Sequence, residues 1–322
     1  MQNNNLLKGV LFVGLGASFY GMLATFVKLA YEEGYSTAEV TASQFLLGII
    51  LLLIINAYML IKGKENVKFQ GNDKIKLLTA GSSLGLTSLF YYIAVQYINV
   101  SIAIVLLMQT VWISILIESI LTKKFPALKK VIAVVIVLIG TAMATNIIGQ
   151  DIQLDWRGVF WGFLAACSFS TTMFTANKIA NYLPTYKKTL YMVLGGGFLI
   201  SIFCFFTQIG PHYFTDLMNY NAILNDDFIV NKAFDSSIFF KWGIALSLFG
   251  TVLPPILLNL GFPKTGLGLG SIVSSMELPV SVMMAFVLLG EKVLFVQWSG
   301  IVVILFAIVY MNYDQIFPKK SN

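Results

Sequence analysis

Ten apolar runs, each long enough to cross a lipid bilayer, take up most of this chain of 322 residues. They lie at about 9–30, 38–61, 75–97, 101–121, 127–147, 157–180, 188–209, 239–260, 267–289 and 294–312. A helix of about 20 apolar residues spans the hydrocarbon core. Hydrocarbon offers no partner to a backbone amide or carbonyl, so runs of this length must satisfy their own hydrogen bonds as helices. The expected fold is therefore all-α and integral to a membrane, with ten transmembrane helices and no sizeable soluble domain. The composition agrees, with 57% of residues hydrophobic and 11% charged, a balance that no water-soluble core could hide. The first run is too long for the apolar stretch of a cleaved leader, and no small-x-small site follows it, so it is read as helix 1.

The runs fall into two sets of five. The first set opens on Lys8-Gly9-Val10-Leu11-Phe12 and the second on Arg157-Gly158-Val159-Phe160-Trp161. Met108-Gln109 of run 4 falls on Met276-Glu277 of run 9. Five is odd, so the second set enters the bilayer from the opposite side. The units, 8–147 and 156–312, thus form two inverted five-helix repeats. Repeats of this kind mark secondary transporters, whose site lies where the halves meet. Gly81 with Gly85, and Gly158 with Gly162, form G-x-x-x-G spacings that predict close helix contacts.

The net charge of +6 invites a nucleic-acid reading, and the placement of the charges rejects it. Lysines crowd the loops after runs 2 and 4, including Lys62, Lys64, Lys68, Lys123 and Lys124, and Lys319 and Lys320 end the chain. The alternate loops carry acids, including Glu32, Glu33, Asp151, Asp155, Asp235 and Glu291. Under the positive-inside rule both termini are cytoplasmic, which an even helix count also requires.

Ionisable groups inside a bilayer are costly, and they are functional candidates by default. Glu277 lies in the middle of run 9, Glu118 near one end of run 4 and Lys28 near one end of run 1. Residues three and four apart share a helix face, and Gly270, Ser274, Ser281 and Met284 share that of Glu277. Pro279 cannot donate to the Ser275 carbonyl, which is expected to stand free one turn from the carboxyl. A carboxyl so placed can bind substrate or carry a proton; a hydrogen bond between helices 4 and 9 is the structural alternative. Gln109, the counterpart of Glu277, shares a face with Val105, Trp112 and Leu116. The pair is expected about one central site, with helix bridging again the alternative. Tyr20, Tyr92 and Thr172 lie in mid-run, where their hydroxyls could meet an organic substrate. Pro254, Pro255 and Pro279 are the candidate hinges. Glu118, about one turn from Lys123, is expected to snorkel and pair with lysines, and Lys28 and Lys178 to snorkel. The stretch 210–237, with His212 and five aromatics, predicts an interfacial segment on the outer surface. Cys167 and Cys204 fall inside runs as packing residues, and the sequence carries no cofactor, metal-ligand or nucleotide-binding pattern.

Phe19-Tyr20-Gly21 with Lys28 in run 1, Leu278-Pro279 in run 9, and Leu289-Gly290-Glu291 followed by Gln297 and Gly300 resemble the drug/metabolite transporter superfamily, EamA type. The resemblance covers nearly the whole chain as two EamA-like halves. It implies a ten-helix inverted-repeat carrier, often an inner-membrane exporter of amino acids or other small metabolites. This chain departs from the family where Tyr20 stands for a common tryptophan, Gln44 for a common basic residue, and Val111 opposite Pro279. The expected function is secondary active transport of neutral or zwitterionic metabolites by alternating access, with the coupling open between proton antiport through Glu277, exchange and downhill release. The alternative is exchange of nucleotide sugars or phosphorylated metabolites, which would want basic residues at mid-depth. An intramembrane enzyme would need a catalytic set that this sequence lacks, and a channel would conduct without saturation. The expected partners are a small-molecule substrate and the lipid bilayer, with a homodimer left open and no nucleic acid.

Overall fold

Each apolar run folds as helix. The computed structural model describes residues 2–63, 67–98, 100–147, 155–214, 230–290 and 292–316. The first repeat comprises α1 (Gln2–Glu32), α2 (Thr37–Ile61), α3 (Asp73–Tyr97), α4 (Val100–Leu107), α5 (Thr110–Thr122) and α6 (Leu128–Ala144). The second comprises α7 (Trp156–Lys178), α8 (Thr185–Cys204), α9 (Gly210–Tyr213), α10 (Ile244–Ser247), α11 (Leu253–Thr265), α12 (Leu267–Ser274), α13 (Glu277–Leu288) and α14 (Phe295–Ile316). Among the described residues, nine helical spans are long and apolar enough to cross a membrane. The remaining span of the ten, α6, has 17 residues. The spans start and stop at local signals. Ser36 and Glu39 close a capping box at the start of α2, Asp155 accepts the Arg157 amide at the start of α7, and Gly266, at φ 76°, turns the chain between α11 and α12.

Spans 4 and 9 are each broken in the middle, and the repeat lays the two breaks one residue apart. Span 4 is α4 then α5, with Met108-Gln109 between them; span 9 is α12 then α13, with Ser275-Met276 between them. One tight turn makes each break. Gln109 N donates to Leu106 O at 3.0 Å and Val111 N to Met108 O at 3.1 Å; Ser275 N donates to Ile272 O at 3.2 Å and Leu278 N to Ser275 O at 3.3 Å. The Ser275 carbonyl is therefore not free, contrary to expectation: the turn hands it the Leu278 amide in place of the one that Pro279 lacks. The break in span 4 forms with Val111 at the position of Pro279, so proline is not required for it.

Span 8 absorbs Pro254-Pro255 in another way. A five-residue π turn, Leu248–Val252, precedes α11, and the prolines fall in the first turn of α11, where a missing amide costs little. Span 7 also runs on beyond its expected end, through a π turn at Phe205–Ile209 into α9. The first residues of the expected 210–237 loop are therefore helical. Residues 215–229 of that loop, and Glu291, lie outside the described residues.

The two repeats interleave. α3 packs on α7 and α8, α1 on α11 and α13, α2 on α8, and α6 on α14. Glycines permit the closest of these crossings. A methyl on Gly85 would lie 2.6 Å from the Gly196 carbonyl, and one on Gly140 would lie 3.0 Å from the Gly300 carbonyl. Loops after the odd spans share a face bearing Glu32, Glu33, Asp155 and Asp235, called the acidic face below. The opposite, lysine face carries Lys62, Lys123, Lys124 and Lys187. An apolar cluster of Val13, Met108, Phe169, Met173, Phe262 and Val273 fills the centre and the half towards the lysine face.

Candidate functional site

Towards the acidic face the bundle is not filled. A cavity of about 380 Å³ runs from the helix breaks at mid-depth to that face. Its lining comes from the acidic-face halves of α1, α3 and α13, with contributions from α4, α7 and α14. Tyr20, Phe169 and Glu277 form its base, with the two rings edge to face at 5.8 Å between centroids. Thr87, Ser88, Tyr91, Tyr92 and Thr172 form the walls, and Lys28, Tyr31, Thr145, Lys292 and Gln297 surround the mouth.

Glu277 is the first residue of α13, where the partial positive charge of a helix N-terminus favours a carboxylate. Its Oε2 is buried and has no hydrogen-bond partner. The Phe19-Tyr20-Gly21 motif explains how this carboxyl reaches the cavity. A side chain on Gly21 would strike the Glu277 carbonyl and come within 3.0 Å of the Ser281 amide, so only glycine lets α1 touch the start of α13. Ser281 lies one turn on and also lines the cavity.

The tyrosine wall is held from behind. Tyr92 donates to Gln44 Oε1 at 3.2 Å, and its ring meets those of Tyr31 and Tyr91 edge to face. The Thr251 hydroxyl, in the π turn of span 8, donates to the backbone carbonyl of Gln44 at 3.0 Å, while Gln44 Nε2 is buried without a partner. Thr172 shares a 2.7 Å hydrogen bond with Ser83, so its hydroxyl joins α7 to α3 at the cavity wall.

Three expected site residues, Gln109, Trp112 and Ser274, stand elsewhere. Gln109 donates to Val105 O at 2.9 Å and accepts from Trp112 Nε1 at 2.8 Å. The two side chains satisfy each other and neither lines the cavity, so Gln109 and Glu277 do not share it. The reason is geometric: span 4 gives the cavity Ile104 and Leu107, which precede its break, and Gln109 follows them. Ser274 is buried and donates to Ser271 O at 2.7 Å, also away from the lining. Glu118 pairs with a lysine as expected, Lys130 of α6.

Other groups were missed. Lys28, expected only to snorkel from its helix end, lines the mouth of the cavity, 4.0 Å from Glu32. The signal was present in the spacing, since Tyr20, Ala24, Lys28 and Tyr31 share one face of α1. Glu39, not among the expected site residues, is fully buried. It accepts from Ser36 N, Gln208 Nε2 and Asp235 N at 2.7–2.8 Å and pairs with Lys232 at 3.0 Å. These bonds clamp the stretch 230–238 to α2 and span 7. Nearby, Lys241 and the Trp242 indole hold the Glu33 carboxyl below the usual carboxylate range. Lys188, at the margin of its run, is buried and donates to Ala176 O and Asn181 Oδ1, capping the end of α7. Among the described residues no cluster of His, Cys, Asp or Glu could hold a metal ion.

The sequence profile of the EamA-like transporter family matches residues 7–146 and 156–313. No curated relative matches the chain. A solved structure titled only as the crystal structure of a protein superposes with a TM-score of 0.70 at 13% identity, over 96% of this chain and 99% of that one. That likeness concerns the fold. With both halves matched by the profile and the inverted ten-span bundle in view, the chain belongs to the EamA-like transporter family.

Proposed function

We propose that this transporter carries small zwitterionic metabolites of the amino-acid kind by alternating access, as a secondary active carrier coupled to protons at Glu277. The observation that carries the reading is a buried, unpartnered carboxylate oxygen at the base of a cavity walled by tyrosines, with Lys28 and Lys292 at its mouth. An unpaired carboxylate in a membrane is expensive, and it is relieved by a proton or by a substrate ammonium. The two compete for one group, which is what antiport needs. A substrate carboxylate would then face Lys28 or Lys292, and its side chain the rings of Tyr20, Tyr91 and Tyr92. Placing the lysine face in the cytoplasm makes the described state open to the outside, with both termini cytoplasmic and the protein in the cell's inner membrane.

Lys28 and Lys292 on the lining favour a second reading, exchange of phosphorylated metabolites or nucleotide sugars. It ranks below the first because the cations stand at the mouth while the base holds a carboxyl. Thermal stabilisation of the purified protein against amino acids and phosphorylated sugars separates the two. The transport test uses the stabilising compound as a radiolabelled substrate in proteoliposomes. Glu277→Gln is expected to abolish uptake driven by a pH gradient. Wild-type uptake with an unchanged pH profile would sink proton coupling through Glu277.

A further inference from the structure

The inverted repeat gives each group around the open cavity a counterpart around the closed half. Packing fixes the register. Gly9 of α1 lies against Lys264 and Thr265 at the end of α11, and Gly158 of α7 lies in the same way against Tyr97 and Ile98 at the end of α3. In that register Lys28 corresponds to Asn177, Tyr92 to Asn259 and Val95 to Phe262. The first member of each pair lines the open cavity between α1 and α3. Asn177 and Phe262 meet where α7 packs on α11 and the bundle is shut, and Asn259, one turn before Phe262 on α11, faces Thr189 and Met192 of α8. Asn177 Nδ2 donates to the Phe262 carbonyl at 2.6 Å across that seam.

Asn259 does not look like a residue that serves packing alone. It is 5% exposed, and its Nδ2 donates to Thr189 Oγ1 at 3.0 Å, yet its Oδ1 is buried without a partner. Buried acceptors are normally satisfied, and an orphan needs an explanation. A membrane carrier supplies one: the oxygen is unpaired because its partner arrives only in the other state.

We infer that Asn177 and Asn259 form a second substrate subsite on the lysine-face half of the pathway, closed in the described state by the Asn177–Phe262 bond. When α7 and α11 part, Asn259 Oδ1 accepts a hydrogen bond from the ammonium or hydroxyl of the substrate, as the Tyr92 wall meets it on the acidic side. The inference rests on the transport reading above and adds to it the residues of the unseen half.

The test is thiol labelling of full-length protein in sealed vesicles of either orientation, on a background with Cys167 and Cys204 replaced by alanine. The probe is a membrane-impermeant maleimide. Ser88→Cys, on the open cavity wall, is the control and is expected to label from the acidic face. Asn259→Cys is expected to label from the lysine face. Adding Asn177→Ala should speed that labelling about fivefold, the population shift expected when one neutral hydrogen bond is lost. If Asn259→Cys does not elute as a folded protein, Thr189→Cys, at its hydrogen-bond partner, takes the same measurement. Labelling of the control with no labelling at 259 or 189 from either face overturns the subsite. Labelling at 259 that Asn177→Ala leaves unchanged overturns the latch. Failure of the control to label from the acidic face overturns the open pathway, and with it the transport reading.

Discussion

The breaks in spans 4 and 9 share one backbone turn and carry opposite chemistry. In span 4 the amide at the break, Gln109, is satisfied by Val105 and Trp112 and lines no cavity. In span 9 the carboxyl at the break, Glu277, is unsatisfied and faces one. The helices that pack against the two breaks differ in the same sense. Ser170 of α7 binds the first through a 2.7 Å hydrogen bond to Thr110, whereas its counterpart in α1, Gly21, brings bare backbone against Glu277. The two halves share one scaffold, and the break in one is closed by packing while the break in the other borders a cavity.

Glu277→Gln should break the comparison most sharply, because it gives span 9 the amide of span 4. Removing one partner of a buried charged pair costs about 2–5 kcal/mol, so apparent substrate affinity should fall about 30-fold or more. Uptake in proteoliposomes across a pH series measures it. An affinity within twofold of wild type would mean that the two breaks are alike after all.

Gly21→Ala should come next. The added methyl meets the Glu277 carbonyl, and overpacking of this kind costs about 1–3 kcal/mol. The thermal midpoint of the purified protein should fall, and uptake should fall with it as the α13 start is pushed from the cavity. Ser170→Ala, at the matching place, removes a hydrogen bond without a clash and should cost about 1 kcal/mol with no such loss of uptake. Equal effects of the two substitutions would show that α1 holds no special relation to Glu277.

How much of this was legible beforehand follows from what sets each feature. The ten spans were readable because bilayer thickness imposes one length on every run. Glu277 was readable because a carboxyl amid apolar residues stands out whatever the fold. The break in span 4 was not, since Met108, Gln109 and Val111 carry no helix-breaking signal and the contact with Ser170 and Thr110 lies in tertiary structure. Lys28 could not be assigned to lipid or cavity from its position near a helix end, because only the neighbours decide whether space is left beside it. Glu39 and Lys188 hid in a similar way. Each sits in the first turn of its helix, where charge is ordinary, and each is buried by segments far away in the chain or by the preceding loop.

Gln109→Leu is the smallest expected effect and the control on which the comparison rests. The substitution leaves the Trp112 indole without its acceptor and removes a bond to Val105 O. One neutral hydrogen bond to a partly buried indole contributes about 1 kcal/mol, so the thermal midpoint should drop slightly. Uptake should stay within about twofold of wild type, because no atom of Gln109 meets the cavity and about 1 kcal/mol of destabilisation leaves most molecules folded. A loss of uptake comparable to that of Glu277→Gln, with the midpoint preserved, would place Gln109 in the pathway in another state of the transport cycle. The asymmetry between the breaks would then belong to the conformer and not to the sequence, and the two residues would take turns at one function.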